Sequence, residues 1–262
     1  MVLHKVWLVP VASSACAVGS VVICYIIALA NNHVDAFLPF ISDTGTIPPE
    51  SCIFGQLINF SAVFLLITVY LRHRQIVEYY GHRLEMRGQG RWRIVSTVLL
   101  CIGCLSAFGM SIVANFQETT VLVVHDIGAL TAFFAGTAYC WGQVLFSYVM
   151  TPRMFELRLS HARLVLCLAS TVFLLLCKST EYANHLVVTT AEWLLAICFE
   201  LFIVSFAVEL RHAYAHAPKL LIKQVPQDHT DNNSKAVKVS YIAPDGSVNS
   251  LQTASDTTLT SR

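Results

Sequence analysis

Seven polar residues of this 262-residue chain can exchange a proton, bind a cation or hydrogen-bond a ligand. They lie beside or just inside apolar segments, and they are Asp43, Glu50, Asn115, Glu118, His125, Asp126 and Glu192. Carboxylates and imidazoles bind Zn²⁺ and perform acid–base catalysis. However, the chain has no His-Glu-x-x-His or other paired-histidine motif, and a helix points adjacent His125 and Asp126 about 100° apart. We therefore predict no metal ion, no cofactor and no catalytic residue.

Three roles stay open for these seven residues. The first is structural, because Asp126 near a helix N-terminus favours the helix dipole, and Glu118, Asn115 and His125 can cap helix ends and tie loops together. The second is recognition of a polar headgroup or a small ligand. The third, which we favour least, is a metal or acid–base site.

Glu200 is a separate candidate, because it lies in the middle of the last apolar segment. Burying an ionisable group at that depth costs free energy, so such a residue is by default a candidate for a functional role. No Lys or Arg lies at a matching depth, so we expect Glu200 to be protonated or hydrogen-bonded to another helix. A transporter or channel would use such a residue, but no regular series of buried charges accompanies it.

Six apolar segments must position these residues. The chain is 55% hydrophobic and only 13% charged, whereas soluble domains carry roughly 25% charged residues. A span of the hydrocarbon core needs about 20 helical residues, because lipid offers no partner to backbone polar groups. The composition predicts an all-α, six-helix transmembrane bundle with helices at about 6–30, 53–71, 94–114, 121–149, 161–177 and 186–208.

The distribution of Lys and Arg predicts the orientation. All 17 basic residues except Lys178 lie at the termini or in the gaps after the second and fourth segments. Because Lys and Arg resist translocation, we expect these regions and both termini to face the cytosol. The seven polar residues then gather on the luminal or outer side.

The gap after the second segment is rich in arginine. It contains Arg72, Arg74, Arg83, Arg87, Arg91 and Arg93. A basic cytosolic loop can contact anionic headgroups, although topology control alone accounts for it equally simply. The chain therefore divides into a membrane domain, 1–210, and a polar cytosolic tail, 211–262, which we expect to be mostly disordered.

The fourth segment carries a stripe of small residues. Gly128, Ala132, Gly136 and Cys140 recur every four residues and so share one helix face. Such a stripe lets a neighbouring backbone approach closely. We expect it to pack inside one bundle; homodimerisation is the alternative.

Four stretches of the sequence carry a family resemblance. They are F-L-P-F-I-S-D-T-G-T-I-P-P-E-S at 37–51, I-V-A-N-F-Q-E at 112–118, V-H-D-I-G-A-L at 124–130 and A-E-W at 191–193. They resemble the damage-regulated autophagy modulator (DRAM) family of six-span membrane proteins. The wider group includes plasma-membrane regulators of phosphoinositide kinase and a Golgi protein of GPI-anchor remodelling. The resemblance covers about residues 1–210 and not the tail.

The resemblance implies a lysosomal or endosomal membrane protein that promotes autophagy and, in some members, apoptosis. We therefore expect a non-enzymatic membrane regulator whose partners are membrane lipids and other membrane or autophagy proteins, and not nucleic acid. The alternatives are a lipid-remodelling enzyme or a regulator of phosphoinositide or GPI lipid metabolism, and a transporter or channel. The plasma membrane and the Golgi are the alternative locations, and the oligomeric state is left open.

Overall fold

The computed structural model describes residues 2–3, 5–83, 91–150, 156–179, 185–211, 215–216, 239–242 and 248–251. Its side-chain description covers residues 5–81, 91–150, 156–177 and 185–211. The chain divides into two compact units, Met1–Ala217 and Pro218–Arg262. Within the second unit, Val239–Ile242 and Val248–Leu251 pair as an antiparallel two-stranded ribbon. The membrane helices belong to the first unit.

Six helices in the described residues are long and apolar enough to cross a membrane, which confirms the predicted all-α, six-span class. They are α1 (Leu8–Ala30), α2 (Glu50–Ile76), α3 (Trp92–Asn115), α4 (Leu122–Val149), α5 (Leu157–Ser179) and α6 (His185–Leu210). A π-helix, Val77–Arg83, continues α2 directly.

Two helices extend well beyond the predicted segments. The fifth was predicted at 161–177 but begins at Leu157, and the second was predicted at 53–71 but runs from Glu50 to Ile76. In both cases polar residues occupy the added turns. Hydropathy alone therefore starts the predicted helix too late or ends it too early. With 23 residues, α5 is long enough to cross a bilayer.

The helices form a closed ring. Each packs against its neighbours in sequence, and α6 closes the ring against α1. Buried Leu65, Val69, Tyr139, Phe202 and Phe206 fill the centre. Large apolar side chains stay exposed on every helix, where hydrocarbon can solvate them; examples are Ile26, Val63, Phe108, Leu145, Leu175 and Leu201. The bundle thus presents an apolar belt outwards.

The small-residue stripe of α4 packs against α3. A Cβ added at Gly128 would lie 2.6 Å from the Ile112 side chain, and one added at Gly109 would lie 2.5 Å from the backbone nitrogen of Ala132. Ser106 Oγ also donates a 2.8 Å hydrogen bond to the carbonyl oxygen of Ala132. This close approach confirms the intramolecular packing expected from the stripe.

The connection between α1 and α2 is folded onto the bundle. Asn32 follows α1 with a φ of 58°, a left-handed conformation that asparagine tolerates and that ends the helix. A short 3-10 helix, Asp43–Gly45, follows, and its residues Thr44 and Gly45 are buried. A Cβ on Gly45 would lie 2.5 Å from Phe54 Cγ, so a larger residue would displace that ring. The loop therefore has a defined position beside α2.

Candidate functional site: the polar side chains at the two ends of the bundle

The seven predicted site residues lie at one end of the ring. We call it the acidic end; there α1, α3 and α5 finish and α2, α4 and α6 begin. The opposite end, where α2 and α6 finish and α5 begins, we call the basic end. Within the acidic end the seven residues do not form one site, because they separate into several local groups.

Asp43, Glu118 and Glu192 form the first group, which we call the carboxylate cluster. Glu192 Oε2 accepts a 3.2 Å hydrogen bond from the backbone N–H of Ile41. The charges of Glu118 and Asp43 both act on Glu192, and the charge of Glu118 also acts on Asp43. Glu118 Oε2 is buried and has no hydrogen-bond partner. Three separate segments thus contribute one carboxyl group each to the same small region.

Asp43 lies outside the spans, and its environment favours the protonated form. Burial, followed by the neighbouring charge of Glu118, raises the pKa of the Asp43 carboxyl. A backbone hydrogen bond from Phe40 and the charge of His185 act in the opposite direction but are outweighed. Burial and the nearby Glu118 thus disfavour the ionised form of Asp43.

The start of α6 holds the loop that carries Asp43. Trp193 Nε1 donates a 2.9 Å hydrogen bond to the carbonyl oxygen of Pro39. The rings of Phe40 and His185 meet edge to face, with their centroids 4.9 Å apart. Tyr25 of α1 contacts the Trp193 ring and donates a 2.9 Å hydrogen bond to the carbonyl oxygen of Ala36. Residues 36–46 are thus fixed by α1 and α6 together.

Glu50 forms a second group, at the start of α2. It is 1% exposed, and its Oε1 accepts hydrogen bonds from Asn31 Nδ2 at 3.0 Å and from the His33 Nδ1 at 2.8 Å. A carboxylate in the first turn of a helix also interacts favourably with the helix dipole. Asn31 and His33 are partners that the sequence reasoning missed. Glu50 consequently joins the end of α1 to the start of α2.

The other three predicted residues lie apart from these groups. Asn115 is exposed and exchanges hydrogen bonds with Asn59 of α2, whose Oδ1 also accepts from Ser111 Oγ. His125 is buried, and its Nδ1 lies 2.7 Å from the carbonyl oxygen of Phe116. Asp126 is exposed. His125 and Asp126 therefore face different surroundings, as their helical spacing predicts.

Glu200 lies midway along α6, beside α1. Ser14 Oγ lies 3.4 Å from the backbone carbonyl oxygen of Glu200 and donates to it. The carboxyl oxygen Oε2 is buried and has no hydrogen-bond partner. Glu200 is therefore held in the apolar slab without a paired cation among the described ion pairs.

The basic end contains a buried charge network that the sequence reasoning missed. Glu209 bridges two arginines, with Oε2 lying 2.7 Å from Arg72 Nη1 and Oε1 lying 2.7 Å from Arg163 Nη1. All three side chains are at most 2% exposed. Arg72 also donates to Gln143 and Gln75, at 3.1 and 2.9 Å. The network joins α2, α4, α5 and α6.

Aromatic rings and a hydroxyl complete this network. Arg163 Nε donates a 2.7 Å hydrogen bond to Ser205 Oγ, and its guanidinium carbon lies 4.5 Å from the centroid of Phe206. Phe206 also faces Arg72, at 5.7 Å. Two guanidiniums and one carboxylate leave one net positive charge, which the faces of these rings partly accommodate. The signal in the sequence was that Glu209 directly follows the sixth predicted segment, 186–208, just as Arg72 directly follows the second, 53–71.

The predicted basic loop is therefore not uniform. Arg72 faces the interior of the bundle, whereas Arg74, Arg91 and Arg93 are exposed. The side chains of Arg83 and Arg87 lie outside the described residues. Among the arginines of this set whose side chains the structure describes, the three exposed ones are placed to contact a headgroup and Arg72 is not. Among the side chains that the structure describes, no group of three or more His, Cys, Asp and Glu could hold a metal ion.

Comparison with known proteins identifies relatives along most of the chain. The family model described as the Frag1/DRAM/Sfk1/Cwh43P N-terminal domain matches residues 5–213. Human DNA damage-regulated autophagy modulator protein 1 is 39% identical over 201 residues, which cover 71% of this chain and 82% of that protein. Mouse DNA damage-regulated autophagy modulator protein 2 is 35% identical over 206 residues, covering 70% and 75%. Modulator of macroautophagy TMEM150B of Danio rerio is 36% identical over 197 residues, covering 73% and 80%. No solved structure matches the chain.

Proposed function

Because the chain belongs to the Frag1/DRAM/Sfk1/Cwh43P family, we propose that it is a multi-pass membrane modulator of autophagy. The observation that carries the proposal is the 35–39% identity, over most of the chain, to three proteins named as modulators of autophagy. The six apolar helices support an integral membrane protein with that role. The matched region also contains both ends of the bundle, so the shared part is the whole helical unit.

The proposed mode of action is contact rather than chemical conversion. Three side chains at the acidic end have partners within the fold: Glu192 accepts from the Ile41 amide, Glu50 pairs with His33, and His125 contacts the Phe116 carbonyl. Such contacts support a structural role for these side chains, which fix the shape of the surface at the acidic end. The partners are then membrane lipids or other membrane and autophagy proteins, which meet the apolar belt and the polar surfaces at its two ends.

The proposed location is the lysosomal or endosomal membrane, with both termini in the cytosol. An even number of spans supports termini on one side, and the excess of Lys and Arg in the corresponding gaps supports the cytosol as that side. The acidic end then faces the lumen.

Autophagic flux in cells that lack this chain tests the function. We expect re-expression of the wild-type chain to change the turnover of a lipidated autophagosome marker, measured with and without an inhibitor of lysosomal degradation. Asp126→Asn serves as the matched control, because Asp126 is exposed and lies outside the carboxylate cluster, and it should behave as wild type. Unchanged turnover after re-expression, with the protein present in lysosomal membranes, would contradict the proposal.

Chemical accessibility tests the orientation. In sealed vesicles with the cytosolic face outwards, we expect protease to remove a C-terminal tag without permeabilisation. Cys52 is exposed at the acidic end, so an impermeant maleimide should label it only after permeabilisation. The labelling due to Cys52 is the difference between wild type and Cys52→Ser. Labelling of Cys52 and cleavage of the tag from the same side of the membrane would refute this orientation.

A further inference from the structure

The acidic end of the bundle is stepped, because α1 extends past the start of α2. Cys24 Sγ lies 3.4 Å from the backbone carbonyl oxygen of Glu50, the first residue of α2. One turn further along, Ser20 Oγ donates a 3.4 Å hydrogen bond to the carbonyl oxygen of Phe54, so the two helices keep this antiparallel register. Residues 25–30 of α1, about 9 Å of helix, therefore lie beyond the level at which α2 begins.

The start of α6 lies at the same raised level. Ser14 Oγ of α1 donates a 3.4 Å hydrogen bond to the backbone carbonyl oxygen of Glu200. Because α1 runs towards the acidic end and α6 runs away from it, equal numbers of residues counted from this contact reach equal levels. His185, the first residue of α6, is then level with Leu29 near the end of α1. The ends of α1 and α6 thus rise together above the start of α2.

This raised part carries exposed apolar side chains. Ile26 and Leu29 are exposed on α1, and Leu186 and Val187 are exposed on α6. By contrast, α2 begins at the lower level with the carboxylate of Glu50. Apolar surface gains roughly 25 cal/mol per Å² when it leaves water, so a leaflet that covers the raised part stabilises the protein. The bundle achieves this cover by tilting or by local thickening of the leaflet beside α1 and α6.

The loop after α1 turns back along the raised part. The backbone N–H of His33 donates a 2.8 Å hydrogen bond to the carbonyl oxygen of Ala28, so the chain reverses as soon as α1 ends. The Tyr25 hydroxyl then donates a 2.9 Å hydrogen bond to the carbonyl oxygen of Ala36. Side chains on a helix tilt towards its N-terminus, so this hydroxyl lies on the membrane side of the end of α1. Ala36 therefore lies below the tip of the helix that precedes it.

The backbone of residues 36–41 finds hydrogen-bond partners at this level. Trp193 Nε1 donates to the carbonyl oxygen of Pro39, and the N–H of Ile41 donates to Glu192 Oε2, at 2.9 and 3.2 Å. Pro39 itself has no N–H that needs a partner. Non-helical backbone is tolerated at membrane depth where the protein itself satisfies its polar groups. The loop meets this condition through side chains of α1 and α6.

Phe37 is the side chain that this loop leaves uncovered. It is 75% exposed, although the segment from Phe37 to Ile41 contains no polar side chain. Leu38 has a φ of 45°, a left-handed conformation that costs free energy for a leucine. Such a conformation persists where surrounding contacts fix the backbone, and the hydrogen bonds to Ala36 and Pro39 flank it. The loop thus holds an aromatic ring outwards beside an apolar surface.

We propose that residues 36–41 form an interfacial anchor, which lies against α1 and α6 and inserts the Phe37 ring into the leaflet at the acidic end. Its partner is the bilayer itself, at the boundary between acyl chains and headgroups, where aromatic side chains are favoured. The anchor follows from the fold and does not depend on the proposed role in autophagy.

Photo-crosslinking of the full-length protein in phosphatidylcholine nanodiscs tests the contact. The photoreactive residue p-benzoylphenylalanine replaces Phe37, Phe40 or Phe108, and the intact mass shows whether a lipid is attached. Phe108 is the benchmark, because it is exposed on α3. Phe40 is the matched control, because its ring packs against His185. We expect lipid adducts from positions 37 and 108, and several times less from position 40.

Two outcomes of this experiment would overturn the anchor. One is a lipid adduct at position 108 with none at position 37, which would leave Phe37 in water. The other is a crosslink from position 37 to a second copy of the chain in place of lipid, which would assign this surface to self-association.

Two substitutions test the anchor without a bulky probe. Hydrogen–deuterium exchange of residues 36–41 is compared in the same nanodiscs for wild type, Phe37→Leu and Phe37→Asp. Phe37→Leu keeps an apolar side chain and should retain most of the protection. Phe37→Asp should lower protection roughly tenfold or more, because transfer of a phenylalanine side chain to an apolar phase corresponds to about that factor. If Phe37→Asp exchanges as slowly as wild type, the ring is not inserted and the proposal fails.

Discussion

Replacing Glu209 with alanine is expected to lower the free energy of unfolding of the bundle by about 3–5 kcal/mol. Glu209 is the carboxylate shared by Arg72 and Arg163, and both of its ion pairs measure 2.7 Å between side chains that are at most 2% exposed. Without it, two guanidiniums stay buried with no counter-charge from α6. Removing one partner of a buried ion pair costs far more than an exposed pair contributes, because the remaining charge cannot be solvated.

The measurement is reversible unfolding of the purified protein in mixed micelles with an increasing fraction of SDS. Glu200→Gln is the matched control, since Glu200 lies on the same helix but has no described ion pair, and it should change stability by less than about 1 kcal/mol. Replacing the whole network, with Arg72→Met, Arg163→Met and Glu209→Leu together, should recover most of the loss. Equal stabilities of Glu209→Ala and Glu200→Gln would show that the network contributes nothing.

The same network explains where sequence reasoning about the fold stopped. Six spans were predictable because lipid forces long apolar helices, and hydropathy detects them directly. The end of α2 and the start of α5 were not predictable in this way, because Arg72 and Arg158 count as water-facing in a hydropathy scale. Arg72 and Arg163 both lie within helices as ion-pair partners of Glu209 across the bundle, and that pairing depends on the rotation of three helices about their axes.

The candidate site shows a similar division. Alternating spans bring the helix ends with Asp43, Glu118 and Glu192 to one side of the bundle, so their common level follows from topology. Their grouping, however, depends on how residues 36–46 fold back onto α6, and the contacts from Trp193 and Glu192 decide it. Glu50 lies at the same level but joins His33 instead, because α2 turns it towards the end of α1. Sequence spacing alone predicts neither the grouping of the three carboxylates nor the pairing of Glu50 with His33.

The packing of α3 on α4 leads to the second large effect. Gly109→Ala is expected to lower the free energy of unfolding by roughly 1–3 kcal/mol, because its new methyl group would meet backbone and not a movable side chain. The added Cβ would lie 2.5 Å from the nitrogen of Ala132 and 2.8 Å from the carbonyl oxygen of Gly128. These atoms belong to the α4 helix itself, so relief requires the two helices to separate.

Two other glycines provide a graded comparison by the same SDS titration. At Gly103 the added Cβ would meet the Val69 side chain at 2.5 Å, and a side chain can shift more cheaply than a helix backbone. At Gly19 nothing lies within 4 Å, so Gly19→Ala should stay within about 1 kcal/mol of wild type. The expected order of destabilisation is therefore Gly109→Ala, then Gly103→Ala, then Gly19→Ala. If Gly109→Ala is no less stable than Gly19→Ala, α3 and α4 are not in the close contact on which the small-residue stripe depends, since separated helices would leave room for the methyl group.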